Sequence, residues 1–287
     1  MIKKHSIQLL ILASLFFDMN TIDAQHKNDI EAGLFNMGFG GVIGGIGAVI
    51  NKKSNQKTGK IFLKGFAQGA LGGYLLFESK RLVGKYGKTG NYSYVWPSKI
   101  INSAGVSIIE NASANRNFWE QWHINVGFNR VEFYTKDKFK MSYRLMPFAL
   151  VSTIHGFTKG KLNLRESLKI GSFIFEHNYI QENKYLGVTS SNRIIIVNEK
   201  SLFGRGRSRL ISHELIHVYQ YESFSGANPY FNKVIKKLNS NSTWSTLYHR
   251  IFYTDFNHII VNGLHEFNSN LGSNFFENEA RYYTDRH

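Results

Sequence analysis

The pentapeptide His213-Glu214-Leu215-Ile216-His217 constrains this chain more than any other feature. Residues four apart share one face of a helix, so in a helix the two imidazoles can hold one Zn²⁺ between them. Glu214 then borders the open side, where it can take a proton from an attacking water. The surroundings favour a helix. Leu210, Ile211, Leu215, Ile216 and Val218 give an apolar flank without Gly or Pro, and Ser208 or Ser212 can cap it. Upstream, the β-branched run 192–197 reads as a strand, joined to the helix by the linker 204–207. The plain alternative is a half-buried helix whose histidines only hydrogen-bond.

A strand leading into an H-E-x-x-H helix resembles the catalytic core of the zincin metallopeptidases. The resemblance covers roughly residues 190–287. It implies a zinc peptidase, with the strand at 193–197 as an edge that pairs with an extended peptide substrate. A catalytic zinc needs three protein ligands and an open position. The metzincin pattern fails, because positions 220 and 223 hold Gln220 and Ser223. The gluzincin pattern takes a glutamate from a later helix, and the segment 272–283 offers Glu277 and Glu279. Asn274, three residues before Glu277, fits a capping box that would turn Glu277 onto the helix terminus. Glu279 sits further in, and its Glu-x-Glu-Ala context resembles the second gluzincin helix. Glu279 is therefore the expected third ligand, with Glu277 in reserve. The family's supporting acid four residues beyond the ligand is replaced by Tyr283. Asp255 is an alternative ligand in the aspzincin manner, without that family's surrounding motif. His249, His258, His265, Tyr282, Tyr283 and His287 are candidates to stabilise a developing oxyanion.

The N-terminus reads as a signal peptide over residues 1–24: basic Lys3 and Lys4, then the apolar run 9–17, then a cut after Ala24. This predicts a periplasmic, envelope-associated or secreted protein. With no cysteine, no disulfide can help stabilise it. The formal charge of +15 is unchanged by cleavage, since two basic and two acidic residues leave together. Dispersed Lys and Arg without a nucleic-acid-binding module point away from nucleic acid and towards envelope polyanions. No feature fixes an oligomeric state.

Residues 25–90 form a glycine-rich region. Gly40, Gly41, Gly44 and Gly45 in one apolar segment and Gly65, Gly69 and Gly73 in the next have the spacing of closely packed helices. They predict a helical hairpin, either packed within the fold or embedded in a membrane. Residues 91–287 read as a β-rich segment followed by the zincin-like core. Alternation at 123–130 and 139–145 predicts antiparallel strands about a turn at 136–138, with further strands at 148–154 and 170–175. The expected class is α+β, an antiparallel sheet region followed by a C-terminal helical core carrying the H-E-x-x-H. The competing architectures are a small outer-membrane barrel and an integral membrane protein in which the motif is coincidental. The competing function is a zinc-binding envelope protein without turnover.

Overall fold

Glycines decide how closely the first two helices approach. The computed structural model describes residues 28–177, 186–198, 205–233, 235, 243–270 and 274–286. In it, α1 (Asp29–Ile50) and α2 (Thr58–Thr89) form an antiparallel hairpin. The Asn28 side chain opens α1 by accepting from Glu31 N at 3.0 Å. Gly90, at φ +70°, closes α2. Along the seam Gly73 meets Asn36, Gly69 meets Gly40, and Gly65 meets Gly44, backbone against backbone. A Cβ on Gly69 would overlap the Gly40 carbonyl oxygen, whereas one on Gly38 would touch nothing. Alanine improves helix propensity by about 1 kcal/mol at either site, but a methyl forced into a packed seam costs about 1–3 kcal/mol or more. Gly69→Ala should therefore lower Tm by several degrees while Gly38→Ala holds or raises it, as thermal unfolding will show. Equal Tm values would contradict the seam.

Among the described residues α1 alone is long and apolar enough to cross a membrane, and half of its apolar window is buried inside the protein. Length and composition alone fit a signal sequence, a membrane span or a core helix. The expected leader at 1–24 lies outside the described residues.

Helix α3 (Val95–Ser113) crosses the hairpin, with Gly72 of α2 against Gly105. It then supports a meander of β1 (Gln121–Val126), β2 (Asn129–Tyr134) and β3 (Lys140–Leu145). The single strand expected at 123–130 is broken by a turn at Gly127, φ +58°. This sheet is inverted. Its inner face carries His123, Arg130 and Glu132, all buried, with Arg130 Nη2 2.7 Å from Glu110 and Nε 2.8 Å from Glu132. Met141 and Tyr143 point outward and are exposed.

The strand expected at 148–154 is instead α4 (Pro147–Lys159). Pro147 pre-sets the first turn, and the buried Asp255 carboxylate accepts from Phe148 N at 3.1 Å and Ala149 N at 3.0 Å. These contacts override the β-branched composition. A second sheet follows in the order β4 (Lys161–Leu162), β5 (Phe173–His177), β7 (Arg193–Val197), β6 (Gly187–Ser190), with β5 and β7 parallel. Residue 170 belongs to the short α5 (Leu164–Ile170), so the strand expected at 170–175 starts later. The strand at 193–197 is not an edge. Its Ile-Ile-Ile-Val run is buried on both faces in mid-sheet, and β6 forms the edge.

The chain is thus mixed α+β, mainly helical, with two small sheets and no closed barrel among the described residues. Helix α6 (Arg205–Ser223) carries the H-E-x-x-H. Ser208 and Ser212 lie inside α6 rather than capping it, and Ser208 Oγ donates to Gly87 O of α2 at 3.0 Å. Helices α7 (Thr243–Ile251), α8 (Asn257–Asn270) and α9 (Phe275–Arg286) follow. One core joins Phe77, Val83 and Tyr86 of α2 to Leu215 and Tyr219 of α6 and Tyr283 of α9. The glycine hairpin is therefore part of the platform beneath the motif helix.

Candidate metal centre

His213 and His217 leave α6 on one face, as the four-residue spacing requires, with their Nε2 atoms 3.3 Å apart. The carboxylate that meets them belongs to Glu277. Its Oε2 lies 3.1 Å from His213 Nε2 and its Oε1 lies 3.2 Å from His217 Nε2. One ligand atom from each of the three residues falls within 4.8 Å of the others, so the group could hold a metal ion. The opening is on one side: the His213 and Glu277 side chains are 21% and 31% exposed, His217 only 7%.

The expected ligand Glu279 is elsewhere. Two residues of helix turn it about 200° from Glu277, into a buried ion pair with Lys80 of α2 at 2.6 Å. Half of the proposed capping box forms: Asn274 Oδ1 accepts from Glu277 N at 3.2 Å. The Glu277 side chain does not turn back, because two imidazoles stand in front of it. Glu279 is joined to the cluster through Gln220. Gln220 Nε2 donates to Glu279 Oε2 at 2.9 Å and to Phe276 O at 2.9 Å, while Gln220 Oε1 lies 2.8 Å from His217 Nδ1. Gln220 and Lys80 were missed in the sequence as site residues. Gln220 was detectable, being three residues from His217 on the same helical face; nothing local marks Lys80.

Glu214 is buried and turned towards β6, accepting from Thr189 Oγ1 at 2.7 Å. The strand passes so close that a Cβ on Gly187 would lie 2.5 Å from Glu214 Oε1. Burial raises the Glu214 pKa above the ordinary carboxylate value, against the lowering effect of His217. Burial also opposes a charged His217, but its hydrogen bond to Glu277 and the charges of Glu214 and Glu277 outweigh this and raise its pKa. Hydrogen bonds from His213 and His217 hold the Glu277 carboxyl well below the usual carboxylate range.

The other candidates separate cleanly. Asp255 is taken up by α4 and by His258, 3.0 Å away, so it is no ligand. His258 also meets Ser191 at 3.1 Å. His249 packs on Tyr248. Tyr282 donates to Asp29 at 2.7 Å, and Tyr283 meets Asn36 at 3.3 Å. His287 lies outside the described residues. Of those described, His265 alone adjoins the centre, its ring 6.0 Å from that of His217 and stacked on Phe276 at 4.2 Å. Burial, helped by the neighbouring His217, pushes its pKa down to about 4. An unfolded histidine titrates near ~6.5. The unfolded chain thus binds the extra proton between those values, and stability is lost as pH falls from ~6.5 towards about 4. In the metal-free protein, His265→Phe should flatten the fall of Tm across that window. Parallel curves for wild type and variant would contradict it.

No protein-family model matches the chain, and no curated protein or solved structure matches it significantly.

Proposed function

We propose that this chain is an exported zinc-dependent peptidase of zincin type, holding the metal through His213, His217 and Glu277. The observation that carries the reading is the convergence of those three side chains from α6 and α9 on one point. Each can offer a lone pair to a cation, a neutral imidazole through its unprotonated nitrogen and the carboxylate through either oxygen. Two imidazoles and one carboxylate are a ligand set used by catalytic zinc, with room for a fourth position. When bound, the ion supplies Lewis acidity and a nucleophile at neutral pH.

The protein's own groups supply the rest. Glu214 accepts the proton of the attacking water and returns it to the leaving amine, a task suited to a carboxylate whose basicity burial has raised. His265, neutral at pH 7, can donate an N–H to the developing oxyanion. The edge strand β6, beside Glu214, can align an extended peptide substrate by strand addition. The second reading is a zinc-binding envelope protein without turnover. It is favoured by the covering of Glu214, only 4% exposed beneath Gly187 and Thr189.

The test is zinc content of the purified chain beside hydrolysis of a mixed peptide pool, with Glu214→Gln as the paired control. Stoichiometric zinc with chelator-sensitive cleavage supports the peptidase. Zinc without cleavage supports the second reading, and no zinc under metal-replete conditions overturns both.

A further inference from the structure

We propose that Gln220, Glu279 and Lys80 form a buried positioning chain that presents the His217 Nε2 lone pair to the metal, making the glycine hairpin a working part of the centre. This rests on the metal-binding reading above. Each link has one allowed direction. Lys80 can only donate, and its Nζ lies 2.6 Å from Glu279 Oε1 and 2.9 Å from Asn36 Oδ1. The other oxygen of Glu279 and the carbonyl of Phe276 both face one nitrogen of Gln220, at 2.9 Å each. Two acceptors on that atom require it to be the amide NH₂. Gln220 Oε1 must then face His217, so Nδ1 carries the proton. In the neutral ring, Nε2 is left bare and aimed at His213 and Glu277.

Burial enforces the arrangement. Lys80 is 3%, Glu279 2% and Gln220 2% exposed, so water cannot replace a lost link cheaply. The hairpin supplies the far end. Gly73 brings Asn36 against α2, and Lys80 follows two turns later on the same face, where Asn36 and Glu279 share its ammonium. Outer partners of this kind commonly set metal affinity by about 10–100-fold.

The experiment is a zinc competition titration against a chromophoric chelator, paired with the visible spectrum of the Co²⁺-loaded protein. Gln220→Ala should weaken zinc binding by about 10–100-fold and alter the cobalt spectrum, with a two-state thermal transition showing that the fold persists. Lys80→Met should shift affinity in the same direction as Gln220→Ala. Wild-type affinity and spectrum in folded Gln220→Ala would overturn the chain alone. Wild-type affinity in Lys80→Met would remove the hairpin from it. Failure of the wild type to bind zinc would overturn the metal centre as well.

Discussion

Glu277→Ala should leave the purified chain nearly metal-free where the wild type carries one zinc. Structural zinc sites bind with about 10–16 kcal/mol shared over their ligands, so one of three protein donors represents several kcal/mol. That corresponds to a loss on the order of a thousandfold in affinity. Glu277 would also be the one anionic ligand of the proposed set, and its removal would leave two imidazoles 3.3 Å apart at their Nε2 atoms, with no charge to offset an ion. The substitution should be tolerated by the fold, because the side chain is 31% exposed and its other role, receiving hydrogen bonds from His213 and His217, can pass to water. Glu279→Gln gives the contrast. Glu279 touches Lys80 and Gln220 rather than either histidine, so its loss should weaken binding far less. Elemental analysis after dialysis distinguishes the two. Retention of zinc by Glu277→Ala and loss by Glu279→Gln would return the third ligand to the position the sequence suggested.

That suggestion shows which physics a sequence displays. The H-E-x-x-H helix and the glycine seam were legible because each is a periodicity within one or two neighbouring segments. The pairing of Gly40 with Gly69 follows from small residues at helical spacing. Glu277 rather than Glu279 meets the histidines because the local rule, a capping box from Asn274, competes with two partners that local rules do not see. His213 and His217 draw Glu277 away from the helix terminus, and Lys80, 199 positions earlier, claims Glu279. The same lesson holds for α4. Its Phe-Ala-Leu-Val-Ser-Thr-Ile run has the composition of a strand, yet Asp255, over a hundred residues away, holds its first turn. β7 kept its strand character but not its place. An unbroken Ile-Ile-Ile-Val run is the signature of a central strand, and the edge passed to the less apolar β6.

Glu214→Gln should abolish hydrolysis while leaving the metal and the fold intact. Removing a general base costs about 10²–10⁴-fold in turnover. The glutamine is isosteric and keeps an oxygen for Thr189, so neither β6 nor the closely packed Gly187 need move. Its effect on stability should run opposite to its effect on rate. A carboxyl whose folded pKa is raised binds its proton more tightly in the folded chain, so stability falls as pH climbs through the window above the ordinary carboxylate value. The wild type therefore carries a penalty at pH 7 that the neutral glutamine does not, and metal-free Glu214→Gln should melt at or above the wild-type temperature. Lost activity with retained or increased Tm is the pattern of a residue kept for chemistry at the expense of stability. Full activity in zinc-loaded Glu214→Gln would exclude Glu214 as the base. A lower Tm would indicate that Glu214 serves mainly to anchor β6, the arrangement expected of a metal centre that binds without turnover.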